Sequence, residues 1–578
     1  MTAAPLSTGP NRTIRKSTCA EEAALPNPVL TNPEPENPAL MSPAPISPAP
    51  MNTAPINAVL INTALINTAL IHLKPEDDVA IAASALAAGT TVAVGSAPGA
   101  TQLVLGADIP AGHKVAVRPL DAGAAVRRYG QIIGFAHGSI AAGDHVHLHN
   151  LDYKEFDRDY EFCSEAKEEP VLPLAERATF QGYVRSDGKV GTRNYIGVLT
   201  TVNCSATAAS QIVQRIRYSG VLDGFDNVDG IVALTHGTGC GMSQVSEGMD
   251  ILRRTMRGYL SHPNFGGFLV IGLGCEDNQI NKLTQDAAVR SDLPIVFSTI
   301  QELGGTAKTI AAGMEAVHGM LAQVNQATRT TVPASEIILG TNCGGSDSYS
   351  GLTANPALGN AVDRLVHQGG TGVVGETPEI YGTEHMLVRR AATEAVATKL
   401  LERIDWWREY TAKNSGSMDN NPSPGNKEGG LTTILEKSLG AVAKGGTTTL
   451  ADVVEYAEPV TSKGFVFMDT PGFDPVSVTG IVAGGANVVA FTTGRGSAFG
   501  CLPVPSIKLA TNTALYLKQT EDMDINCGGV VDGTTTIEEL GEEIFLKVLE
   551  VASGTQTKSE EFGYGDKEFV PWLVGAVM

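Results

Sequence analysis

The 578-residue chain has no stretch of 18 or more consecutive apolar residues, so the sequence offers no membrane-spanning helix. Positive charge is in deficit: 41 Lys and Arg stand against 62 Asp and Glu, a formal net charge of −21. That balance argues against nucleic acid or an anionic membrane surface as partner. It leaves room for a small anionic substrate in a local Arg/Lys pocket. Cysteine is sparse at eight, and these residues fall in glycine loops rather than at framework spacings. They read as free thiols or metal ligands in a reducing cytoplasm, not disulfides. The N-terminus carries Arg12, Arg15 and Lys16 with no apolar core after them, so no secretory signal is expected. No full GxGxxG follows any strand, which excludes a nicotinamide cofactor.

What the chain does have is one pattern used five times. An apolar run ends abruptly in small, polar or reactive residues. Ile196–Val202 runs into Asn203-Cys204-Ser205, and Ile231–Leu234 into Thr235-His236-Gly237-Thr238-Gly239-Cys240. Phe268–Ile271 runs into Gly272-Leu273-Gly274-Cys275-Glu276. Ile337–Leu339 leads to Cys343-Gly344-Gly345-Ser346-Asp347, and Val488–Phe491 to Thr492-Thr493-Gly494-Arg495-Gly496. Continuous apolar runs predict strands buried on both faces of a parallel sheet. Such sheets bind ligands beyond the carboxyl ends of their strands. The pattern predicts an enzyme.

Length and 43% hydrophobic content suit roughly two to four domains. Residues 1–70 are expected to be disordered, because 27–71 carry a Pro-rich pentad repeat (SPAPI, SPAPM, NTAPI, NTALI) that matches neither helix nor strand. Residues 71–150 read as a small all-β module, with strands at Val79–Ala82, Thr91–Val94, Lys114–Val117, Gln131–Phe135 and His145–His149. A polar linker at 151–180 precedes two α/β domains with mostly parallel sheets, 181–330 and 331–578. Helices are expected at Ala206–Tyr218 and Ser243–Leu260.

Several long strings resemble the altronate/galactarate dehydratase family. They are GYVRSDGKVGTRNYIG (182–197), GLGCEDNQ (272–279), CGGSDSYSGLTANPALG (343–359), ETPEIYGTEH (376–385), NPSPGNK (421–427) and FTTGRG (491–496). Residues 71–150 resemble that family's N-terminal SAF-type β-clip module. The resemblance implies a cytoplasmic hydro-lyase that eliminates water from a sugar acid. Altronate is favoured over galactarate, with sulfolactate sulfo-lyase and a non-catalytic sugar-acid sensor as alternatives. It also implies iron(II), with manganese as substitute; Cys204, Cys240, Cys275 and Cys343 leave open a single ion or an iron–sulfur cluster. A homo-oligomer is one option for its assembly.

The chemistry sets the residue types to look for. Dehydration of a 2,3-dihydroxy acid removes a weakly acidic proton next to a carboxylate. It needs a base, an acid for the leaving hydroxyl, and cations or a metal for the developing charge. Of eleven histidines, His72, His113, His145, His147 and His149 belong to the first module. Alternation would put His145, His147 and His149 on one face of a strand. His72, His113, His147 and His149 are the candidate acid/base or ligand imidazoles. Cys204, Cys240, Cys275 and Cys343, with His236 and Glu276 beside them, are the candidate metal ligands. Arg193, Lys427 and Arg495 are candidate carboxylate clamps, and Tyr381 a candidate proton donor. Glu376, Glu379 and Glu384 are further acid/base candidates. All are expected to converge on a single pocket.

Overall fold

The computed structural model describes residues 13–16, 69–95, 101–285 and 287–575. All five apolar runs are strands. Three of them lie side by side in a four-stranded parallel sheet, in the order Gly230–Leu234, Tyr195–Thr200, Phe265–Gly272 and Ile295–Thr299. The two middle strands are buried at every position, as a sheet covered on both faces requires. Ile196 and Val198 face helices Ala206–Tyr218 and Thr306–Val324. Leu199 joins the core formed with helix Glu247–Leu260 on the other face.

The remaining two runs are adjacent strands, Ile338–Cys343 and Val488–Thr493, in the middle of a seven-stranded sheet. Every pairing in that sheet is parallel. The loops Cys343–Asp347 and Thr492–Gly496 therefore leave the same edge next to each other. Helices Ala354–His367 and Ile537–Ala552 cover one face. Among the described residues no helix is long and apolar enough to cross a membrane. The end of the described chain packs back, with Trp572 stacked on Trp407 at 5.4 Å between ring centroids.

The N-terminal module is antiparallel, apart from one parallel pairing between Leu70–Ile71 and Thr91–Val94. Val79–Ala82 and Thr91–Val94 have the expected bounds. The expected strand His145–His149 is shorter, covering only His145–Val146. Asn150 stops it: its side chain accepts from the His147 amide at 2.9 Å and donates to the His145 carbonyl at 2.9 Å. That closes residues 147–150 into a turn.

A buried ionic clamp fixes the module to the seven-stranded body. Glu436 accepts from Lys114 at 2.8 Å and from Arg128 at 2.6 Å, and all three side chains are almost wholly buried. The backbone amide of Thr432 bonds the same carboxylate.

Two expectations about the first 180 residues need correction. Thr13–Lys16 is a strand paired in parallel with Asp159–Phe162, so residues 1–70 are not structureless throughout. Extended backbone there gains partners from the open edge of residues 159–162. The pentad segment lies outside the described residues up to position 68. Cys163 is disulfide-bonded, against the expectation of thiols throughout.

Candidate active site

A cleft of about 550 Å³ opens where the β module meets the carboxyl edge of the seven-stranded sheet. Its walls include Ala83 and Ala111 from the module, and Asp347, Glu428, Arg495 and Asn512 from the body. Arg495 forms an exposed ion pair with Glu428 at 2.7 Å. Asp347 is buried and fully engaged, accepting from Ser350, Thr511 and Asn512 at 2.9–3.1 Å. A side chain at position 494 would meet Asp347 Cγ at 2.2 Å, so only glycine lets the two loops close.

An imidazole cluster adjoins the cleft wall through Glu428. His113 Nδ1 lies 3.0 Å from His145 Nε2, and His113 Nε2 lies 3.2 Å from the Glu428 carbonyl oxygen. The His147 ring is 4.8 Å from His113 and 5.5 Å from His145, and His149 is 5.5 Å from His145. Burial, the neighbouring imidazoles and Lys114 hold His145 down to about 4. Burial and Lys114 hold His147 down to about 3. Both are neutral near pH 7.

The loop Cys343–Asp347 runs from the cleft to a second, fully buried group. Cys343 Sγ lies 3.1 Å from Glu379 and 3.5 Å from Glu376. Lys444 Nζ bridges Cys343 Sγ at 2.9 Å and Glu376 at 2.7 Å. Lys437 donates to Glu379 and to Asn421, both at 2.7 Å. Asp474 stands beside them, bonded to Asn342 at 3.0 Å. Burial and repulsion from Glu376 and Glu379 raise Asp474 to about 7. Burial with the same two carboxylates holds Cys343 as a thiol. Glu376 reaches this group from a left-handed backbone, with φ 69°.

Comparison with known proteins now bears on this geometry. Residues 334–577 match the model of the D-galactarate/altronate dehydratase C-terminal domain. Residues 182–325 match the D-galactarate dehydratase/altronate hydrolase second domain, and 68–154 the altronate/galactarate dehydratase SAF domain. The chain is 35% identical to altronate dehydratase of Escherichia coli (strain K12) over 485 residues, 84% of this chain and 95% of that protein. It is 35% identical to altronate dehydratase of Bacillus subtilis (strain 168) over 460 residues, 78% and 90% of the two chains. Galactarate dehydratase (L-threo-forming) of Escherichia coli (strain K12) matches at 37% over 462 residues, 79% and 88%.

The chain belongs to the D-galactarate/altronate dehydratase family. It is a hydro-lyase acting on a sugar acid.

For this dehydratase the expected single pocket is not what the fold builds. The candidate residues divide into the cleft, the buried group and a separate rim. Arg495 lines the cleft, and His113 adjoins it through the Glu428 carbonyl; His147, packed on His113, and the exposed His149 are not part of the lining. Lys427 sits on the same turn, between Asn426, which faces Lys437, and Glu428, which lines the cleft. Cys343 belongs to the buried group. Cys204, Cys240 and Cys275 are exposed on the carboxyl edge of the four-stranded sheet, outside the cleft lining.

The remaining candidates are structural. Arg193 is buried and pairs bidentately with Glu560 at 2.7 and 2.8 Å, tying down the C-terminal segment. Arg193→Ala is expected to cost about 3–5 kcal/mol, because it leaves Glu560 unpaired. Chemical denaturation should show that loss, while KM of the folded enzyme stays unchanged. His236 spends both ring nitrogens, on the Thr200 carbonyl at 2.9 Å and Thr238 Oγ1 at 3.1 Å. Glu276 caps its own loop, accepting from Thr201, Leu273 and Gly274. Tyr381 donates to Glu155, and His72 bonds the Asp77 carbonyl. None of these four is part of the cleft lining.

Sequence reasoning missed Lys437, Lys444, Asp474 and the Lys114–Arg128–Glu436 clamp. One signal was available: helix Ile434–Ala441 reads as an apolar segment, yet it carries Glu436 and Lys437, which demand buried partners.

Proposed function

We propose that the enzyme dehydrates D-altronate to 2-dehydro-3-deoxy-D-gluconate in the cytoplasm. The match to altronate dehydratase over 95% of the Escherichia coli protein carries this reading. Galactarate is the alternative substrate, favoured by the 37% identity to the galactarate enzyme. Six of the seven described cysteines are free thiols, which accords with a reducing compartment, Cys163 being the exception.

Two groups are candidates for a divalent ion. Cys343, Glu376 and Glu379 bring three ligand atoms within 4.8 Å of one another, the one such group among the described residues. Lys444 and Lys437 already stand on those atoms and balance the two carboxylates, so a divalent ion there would have to displace an ammonium. The imidazole cluster fits better. Two nitrogens bound at about 2.1 Å and a right angle lie about 3 Å apart, which is the His113–His145 separation. His113 offers its other nitrogen to a backbone carbonyl, the usual support for a ligating imidazole. His147 Nδ1 is buried without a partner, and a turn of that ring would complete the set. The three residues would hold iron(II), or manganese in its place, which supplies Lewis-acid stabilisation to the oxygens of a bound hydroxy acid.

The protein groups act around that centre. Arg495 exchanges Glu428 for the substrate carboxylate and clamps it bidentately. Gln519 offers its amide to the sugar hydroxyls from the body wall. His149, exposed beside His145, moves protons between the site and solvent.

Anaerobic assays with iron(II) on D-altronate, galactarate and sulfolactate test the reading. Keto acid should form fastest from D-altronate. Binding of the sugar acids without keto acid from any of them would make the protein a sensor and contradict it.

A further inference from the structure

We propose that Cys204, Cys240 and Cys275 are the three thiolate ligands of an iron–sulfur cluster on the carboxyl edge of the four-stranded sheet, apart from the cleft. Cysteine is among the residue types most often buried. Here the free cysteines split cleanly: Cys343, Cys501 and Cys527 are buried, while these three are exposed. All three exposed thiols follow neighbouring strands of one sheet. Cys204 follows the strand Tyr195–Thr200, and that strand lies between the strands leading to Cys240 and Cys275.

Hydrogen bonds lock the three loops together next to the sulfurs. The Asn203 amide donates to the Thr238 carbonyl at 2.9 Å, and the Asn278 amide to the Gly239 carbonyl at 3.0 Å. The Gly241 amide donates to Asp277 at 2.8 Å. Each cysteine is thus within three residues of a bond to the loop of another. Gly239 and Gly241, on either side of Cys240, have φ of 95° and 69°, and a Cβ at 239 would meet the Thr201 carbonyl oxygen at 2.2 Å. A glycine is required there for the close approach.

The donor set and its surroundings favour a cluster over a single ion: thiolates are the protein ligands of iron–sulfur cores. Three thiolates around an iron–sulfur core carry net negative charge. Arg253 donates to the Asp277 carbonyl and to Asn278, two and three residues from Cys275, and supplies a cation. Gln301 already donates to Cys275 Sγ at 3.4 Å, the kind of contact that tunes such centres. With three protein ligands, one iron of a four-iron cluster is left open for an oxygen ligand. His236 and Glu276 cannot supply a fourth, since their polar atoms are spent within the loops.

The site is independent of which sugar acid is turned over. The test uses the full chain, purified anaerobically and reconstituted with iron(II) and sulfide. Iron and acid-labile sulfide are measured with the visible spectrum, for the wild type, Cys204→Ser, Cys240→Ser, Cys275→Ser and His113→Ala. The proposal expects sulfide in amounts close to the iron, and a broad visible absorption that each cysteine variant loses at least severalfold and His113→Ala keeps. Circular dichroism of each variant separates loss of the centre from loss of fold. Iron without sulfide, zinc without sulfide, or absorption that survives all three folded serine variants would overturn it.

Discussion

Glu436→Ala is expected to lower the unfolding free energy by about 3–5 kcal/mol, the cost of stranding buried charges. Lys114 and Arg128 both end on this carboxylate, and neither can reach water. The substitution also loosens the module on the body, where Lys114 keeps the Gly430 carbonyl and Arg128 keeps Ser348, so activity should fall with stability. Urea denaturation and steady-state kinetics on the same variant check both. The wild type carries a matching pH signature. Burial pushes the Glu436 carboxyl up, but Lys114 and Arg128 overcome this and hold it at about 2, below its ordinary 4.5. A depressed carboxylate contributes stability above its unfolded pKa. That contribution is about 3 kcal/mol. It is complete above pH 4.5 and fades as pH falls from 4.5 towards 2. Glu436→Ala should therefore flatten the acid limb of the stability curve. An unchanged limb would contradict the clamp.

Lys444→Met is the second large effect. The ammonium is buried and touches both Cys343 and Glu376. Without it, Glu376 faces Glu379 and Asp474 with Lys437 as the remaining cation, and about 3–5 kcal/mol should be lost. Burial and Glu379 already raise Glu376 above its ordinary value, and the variant should raise it further. A carboxyl raised in the folded state keeps its proton where the unfolded chain has lost it. Stability then falls as pH rises above 4.5, by about 1.4 kcal/mol per pH unit, until the folded pKa is reached. Denaturation followed upward from pH 4.5 should show the variant losing more stability than the wild type as pH rises. A difference between the two that is the same at every pH would mean that Glu376 is not held by Lys444.

The strands were legible because each is a long apolar run that a doubly covered sheet demands, Tyr195–Thr200 and Phe265–Gly272 above all. Placement of reactive groups at strand ends was legible for the same reason. Convergence was not. Which loops meet depends on sheet order, and the runs divide between two sheets, so Cys204, Cys240 and Cys275 belong to a different sheet from Cys343. The histidines did cluster, though by a turn rather than by alternation: Asn150 curls the chain after Val146, and rings 145, 147 and 149 still meet. Arg193 was misread because a cation in a distinctive string looks the same whether it meets substrate or Glu560. Lys444 and Glu436 were invisible because their partners are distant in sequence, at Cys343 and Lys114.

The central claim is that the sugar acid binds at the seam of the β module and the seven-stranded body, with its carboxylate on Arg495. Steady-state kcat/KM for the preferred acid in Arg495→Ala and Arg495→Lys tests it most directly. Loss of charge-assisted bonds to a carboxylate should cost about 10–100-fold in Arg495→Ala. Arg495→Lys, which keeps the charge but not the fork, should fall between that variant and the wild type. Wild-type kcat/KM in folded Arg495→Ala would put the substrate elsewhere and contradict the account.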